Sequence, residues 1–295
     1  MDTVDTQPET HPETLSTGPR LGLGPLGITV RIVVAIVILL GANLVVVGLS
    51  ALLALVPGNL LSEATPTSLT VFVLMQACMP AIVVLAGWAW MRLVERRGIR
   101  DAGWRWTASS AGWLLLAIIV AGGLVIAAVA MLPSTGPVAG TANHGSSAPI
   151  AFSLIALVSQ SFLLQAIPEE LLFRGWLLST LRARPILAIT VTTLSFTVVH
   201  LASNGGQETL AERLLYLAPP FGFSLLAVGM LLWTGSLWSA VGVHGGLHLG
   251  NTAATVLLPE VDAALSWVVI GALHTAVGAA LIISALRHHR VILKP

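Results

Sequence analysis

Apolar residues dominate the chain in runs of about 20, the length that crosses a bilayer as a helix, and short polar or turn-forming breaks separate the runs. The pattern predicts eight helices, over 28–56, 68–91, 111–132, 150–183, 186–203, 214–233, 236–257 and 263–286. Pro57-Gly58-Asn59, the stretch from Pro133 to Pro149, and Leu258-Pro259-Glu260 supply the breaks. No internal repeat is visible. Residues 1–24 are polar and rich in Thr, Pro and acids, without the basic start and apolar core of a signal peptide. They read as a disordered tail, leaving 25–295 as a single transmembrane helical domain. The predicted fold class is an all-α polytopic membrane helix bundle.

Composition strengthens that reading. Hydrophobic residues make up 56% of the chain and charged residues 9%, where a soluble domain carries about 25% charged residues, and the mean hydropathy is +0.90. The net charge of +1 says nothing about partners, and with no basic patch interleaved with aromatics, no nucleic-acid binding is predicted. Cys78 is the single cysteine, so neither an intrachain disulfide nor a cysteine-rich zinc site is available.

Orientation follows from the arginines, because short cytoplasmic loops are enriched in Lys and Arg. Eight helices with both termini cytoplasmic gather Arg92, Arg96, Arg97, Arg100 and Arg105 in one loop, Arg182 and Arg184 in the next, and Arg287, Arg290 and Lys294 at the end. The opposite loops hold only Arg213, beside Glu63, Glu208, Glu212, Glu260 and Asp262. Trp88, Trp90, Trp104, Trp106 and Trp113 flank the first basic loop as an interfacial aromatic belt.

One stretch violates the apolar pattern. Ile167-Pro168-Glu169-Glu170-Leu171-Leu172-Phe173-Arg174 places three charges inside the fourth helix, each costing roughly 2.5 to 3.5 kcal/mol near a bilayer centre. Such residues are expected to line a polar cavity. Glu170 and Arg174, at i and i+4, share a face and can pair, which leaves Glu169, about 100° round the helix, free for chemistry. A purely structural ion network is the plainer reading, but a structural pair needs one acid and two are present. Glu169 and His200 lie equally far from the Arg184-Pro185 turn, roughly 22 Å at the helical rise, and so at matching depth on neighbouring helices.

Phe196 and His200 share a face of the fifth helix, although a lone histidine on such a face is more often a packing residue. The seventh helix carries Gly242-Val243-His244-Gly245-Gly246-Leu247-His248-Leu249-Gly250-Asn251. Its two histidines at i and i+4 have the spacing of helical metal sites, and the glycines allow close approach of a backbone or substrate. His274 reads as structural, His288 and His289 belong to the basic tail, and nothing assigns a role to His144.

Glu169-Glu170-x-x-x-Arg174, Phe196-x-x-x-His200 and a late-helix His244 motif, in that order within apolar helices, resemble the CAAX-protease and bacteriocin-processing (CPBP, abortive-infection-like) family of intramembrane proteases. The resemblance covers about residues 150–257, the expected protease core. It implies an intramembrane endopeptidase, expected in the plasma membrane of a bacterium, that hydrolyses a peptide or lipidated protein among membrane lipids through a glutamate-activated water. Carried over residue by residue, Glu169 is the general base, Glu170 and Arg174 orient it, and His200 and His244 hold the water, a metal ion or the oxyanion. The chain departs from the family where Asn is common four residues after His244: here the residue is His248, with Asn251 beyond it. Imidazole is the better metal ligand, so Glu169, His200, His244 and His248 form a tentative donor set for a divalent ion such as zinc, beside a metal-free mechanism. The alternatives from other classes are a proton-coupled membrane transporter, disfavoured by the lack of related halves, and a non-catalytic membrane scaffold.

Overall fold

The computed structural model describes residues 21–55, 65–138 and 149–288. Most of the predicted tail (1–20), the Pro57-Gly58-Asn59 break, Glu63, His144, His289, Arg290 and Lys294 lie outside the described residues. Eight long helices form the body: α1 (Pro25–Ala54), α2 (Pro66–Trp90, continued by a wider turn over Met91–Glu95), α3 (Ser110–Ala130), α4 (Ile150–Thr180), α5 (Pro185–Val199, with a last tight turn over His200–Ala202), α6 (Leu210–Thr234), α7 (Leu237–Leu257) and α8 (Ala263–Arg287). The protein is an all-α polytopic membrane bundle.

Local sequence explains where the helices start. Pro25, Pro66 and Pro185 sit in first turns, where the missing N–H is not needed. Thr65 and Ser68 cap α2 reciprocally, each side-chain oxygen accepting from the other's backbone N–H at 3.1 and 2.9 Å. Asp262 caps α8 by accepting from the Leu265 N–H at 2.7 Å.

Seven of the eight helices are long and apolar enough to cross a membrane, and they expose Val37, Leu44, Leu74, Leu85 and Ile119 outward, as a lipid-facing surface requires. The eighth, α7, is not among them. It is the central helix, packed against α3, α4 and α6, and every residue from Ser239 to Leu247 is buried. Protein surrounds α7 there, so it can carry histidines and glycines in place of an apolar coat. Gly122 of α3 faces Gly246 and Gly250 of α7 so closely that a Cβ on Gly250 would lie 2.7 Å from the Gly122 Cα.

The expected turn regions after α3 and α7 contain more structure than the breaks in the sequence suggest. Strands β1 (Ser134–Val138) and β2 (Pro259–Val261) pair antiparallel, with Ser134 opposite Val261 and Val138 opposite Pro259. The ribbon ties the α3–α4 and α7–α8 connections together at one end of the bundle.

The basic loops gather at the other end. Arg97 of the α2–α3 loop donates to Thr180 (2.7 Å) and Ser179 (2.9 Å) at the end of α4. Trp238, at the start of α7, donates from Nε1 to the Arg105 carbonyl at 2.9 Å. A buried ion pair closes this end: Arg31 Nε lies 2.6 Å from Glu95 Oε1, and both side chains are 1% exposed. The Arg31 guanidinium also donates to the carbonyls of Leu21, Gly22 and Gly27. Burial lowers the pKa of the Arg97 guanidinium, with Glu95 pulling it back up.

Candidate active site

The helix that carries the two glutamates is not a regular α-helix. A single α-helical turn, Ile167–Glu170, sits between two π-helical segments, Gln160–Ala166 and Leu171–Leu177. Pro168 explains the first. Proline has no N–H, and its ring crowds the carbonyl four residues earlier; the wider turn before it relieves both. Such bulges are frequent at functional sites, and here they frame Glu169 and Glu170.

The two carboxylates have different environments. Glu170 is fully buried, and its Oε1 accepts from Arg174 Nη1 (3.1 Å) and from His244 Nδ1 (3.1 Å). Glu169 is only half-buried and faces a cavity, with its Oε2 lacking any protein partner. The i,i+4 pairing expected from the sequence is therefore present, and the neighbouring acid is left uncommitted.

Phe196 organises the rest. The Arg174 guanidinium carbon lies 4.2 Å from the centre of its ring, a desolvated cation–π contact, and the rings of Phe173 and Phe223 meet it edge-on at 5.2 Å. Its carbonyl accepts from His200 Nδ1 at 2.9 Å. The Phe196 and His200 pair thus does more than share a face: one residue holds both the guanidinium and the imidazole.

The hydrogen bonds also set tautomers. A carboxylate oxygen and a carbonyl oxygen only accept, so His244 and His200 each carry a proton on Nδ1, and in the neutral ring Nε2 is left as a lone pair. His248 stacks on His244 with ring centroids 5.1 Å apart, and its Nε2 has no protein partner. Glu169, His200, His244 and His248, together with Asn251, line one cavity of about 760 Å³.

The sequence did not single out several residues of this cavity, among them Gln165, Asn204, Tyr216 and Phe223. Gln165 is the one with a readable signal, a polar residue four before Glu169 on the same apolar helix. His274, taken as structural, is buried in α8 with Nδ1 donating to the Ile270 carbonyl at 2.8 Å, and does not line the cavity.

A metal ion would need several of these side chains to converge at bonding distance. Among the described residues no group of three or more His, Cys, Asp or Glu is arranged that way. The four donors line one cavity without forming a ready-made cage.

Residues 150–250 match the family model described as type II CAAX prenyl endopeptidase Rce1-like. The stretch opens at the start of α4 and closes within α7, so it contains both glutamates, Arg174, Phe196 and all three cavity histidines. The match is to the CAAX-protease family. That similarity supports an intramembrane protease. No curated protein matches the chain.

Proposed function

We propose that the protein is a CPBP-type intramembrane endopeptidase in which Glu169 activates a water for attack on a peptide carbonyl. The observation that carries this is the inequality of the glutamates. Glu170 Oε1 is committed to Arg174 and His244 with only its Oε2 unpartnered, whereas Glu169 lines the cavity with His200, His244 and His248 and its Oε2 has no protein partner.

The division of labour follows from the tautomers. One O–H of a water donates to an imidazole Nε2 lone pair, that of His244 or of His200, which holds it, while Glu169 takes the other proton as general base. The water oxygen bonds to the scissile carbonyl carbon, and the carbonyl oxygen gains negative charge. His248, whose Nε2 is uncommitted, supplies the donor to that oxyanion, with Asn251 beside it. Collapse breaks the C–N bond, and Glu169 returns its proton to the leaving amine. Arg174, pinned on Phe196, holds Glu170, and Glu170 in turn fixes the His244 ring. A divalent ion such as zinc on Glu169, His200, His244 and His248 is the second reading, favoured by imidazole where an amide is common.

The deciding experiment is comparison of peptides from cells carrying the wild-type protein and the Glu169→Gln variant. Cleavage products that vanish with the variant, at equal protein level, support the proposal. Unchanged products would remove it, and substrate flux without cleavage would point to the transporter alternative.

A further inference from the structure

The cavity that holds Glu169 has a definite mouth. Besides the catalytic side chains it is lined by Thr135 of β1, Asn204 and Gly205 after α5, Tyr216 in α6, and Pro259 and Glu260 of β2. All of these lie at the end of the bundle that carries the ribbon. The arginine-bearing loops, tied together through Arg97, Thr180 and the Trp238 to Arg105 bond, lie at the opposite end. No residue of the 91–110 or 181–185 connections lines the cavity. Because basic loops stay on the cytoplasmic side, a mouth at the other end opens away from the cytoplasm.

The charge at that end is equally one-sided. Its described residues include Glu208, Glu212, Glu260 and Asp262 against the single described cation Arg213. Among the described lining residues the formal charges are the carboxylates of Glu169 and Glu260, and no Lys or Arg is present. An acidic peptide, or one presenting a free C-terminal carboxylate, would enter without a counter-charge. A segment carrying Lys, Arg or a free amino terminus would be drawn in by the field of the rim.

The geometry points to an extracytoplasmic, positively charged peptide segment as the substrate, entering past Glu260 and the β-ribbon to reach Glu169. This rests on the endopeptidase reading for its chemistry, but the side of entry can be tested without any activity. Cys78 is the only cysteine, so a Cys78→Ser background gives single-site reporters: Thr135→Cys at the mouth and Arg100→Cys in the basic loop, both exposed. A membrane-impermeant maleimide added to intact cells is expected to label Thr135→Cys and to reach Arg100→Cys only after permeabilisation. Labelling of Arg100→Cys in intact cells, or of Thr135→Cys only after permeabilisation, would overturn the side of entry.

The charge preference is read in proteoliposomes given peptides on the mouth side. Glu260→Lys is expected to lower cleavage of a Lys-bearing peptide at least tenfold relative to its Lys→Gln counterpart. An equal effect on both peptides would overturn the electrostatic selection. Loss of the endopeptidase reading would appear separately, as cleavage that survives Glu169→Gln while the labelling pattern stands.

Discussion

The indole N–H of Trp104 donates to the backbone carbonyl of Leu171 at 3.1 Å, joining the α2–α3 loop to the helical residue that follows Glu170. The bond falls where α4 passes from its single α-turn into the second π-helical segment. Gly175 makes room for the ring, since a Cβ there would meet Trp104 Nε1 and the Ala102 carbonyl. The side chain is thus a positioning residue: it fixes the path of the helix one residue away from the two glutamates.

Replacing Trp104 by Phe removes the donor and leaves the Leu171 carbonyl unsatisfied, at a cost of about 1 to 3 kcal/mol. If the indole only stabilised the fold, protein that remains folded would turn over normally. As a positioning group it should lower kcat about tenfold or more with KM little changed, measured well below the unfolding temperature, because small misplacements of reacting groups are costly. Gly175→Ala should act in the same direction by pushing the ring away. Wild-type kcat in either folded variant would reject the positioning role.

Much of this site was legible in the sequence because its spacing is local. The Glu170 and Arg174 pair follows from one helical turn, and the depth match of Glu169 with His200 follows from counting residues to a turn. Other features were hidden for a physical reason. Arg31 and Glu95 are 64 residues apart, and no periodicity links an arginine in one apolar run to a glutamate in a basic loop. The β-ribbon joins two segments that each read as a break. The π-helical segments leave the spacing of apolar residues almost unchanged, so Pro168 was their only sign.

The unequal glutamates should separate activity from stability. Glu169→Gln removes the proton acceptor but breaks no protein contact, so turnover should fall to background while the unfolding temperature in detergent stays near wild type. Glu170→Gln or Arg174→Met leaves a buried partner without its counter-charge, and breaking such a pair costs about 3 to 5 kcal/mol. Those variants should lose both activity and thermal stability. A large stability loss in Glu169→Gln would show that it is structurally committed after all.

His248 is the point at which the two versions of the chemistry part. If it donates to the oxyanion, His248→Asn should retain most activity, because an amide also donates, whereas His248→Ala should lose about 10²- to 10³-fold in kcat. Exhaustive treatment with a chelator should then leave turnover intact. Activity lost on metal stripping and restored by zinc, together with metal content that falls in His248→Asn, would instead establish the ion-binding version.

The Arg31 and Glu95 pair tests how the end of the bundle that carries the basic loops is held. Glu95 accepts from Arg31 at 2.6 Å and Arg97 at 3.2 Å, with Trp90 Nε1 at 3.4 Å, while the rest of α1 packs into the bundle through Ala35, Leu39, Ala42 and Val46. Glu95→Gln alone strands a buried guanidinium and should destabilise by about 3 to 5 kcal/mol. The double change Arg31→Met with Glu95→Leu removes both charges and refills the space with apolar atoms, which for buried pairs is often neutral or better. It should therefore unfold at a higher temperature than Glu95→Gln, with kcat unchanged because no cavity residue is touched. If the double variant is as unstable as the single one, the network owes its strength to Arg97, Ser179 and Thr180, and α1 is held by lipid and packing alone.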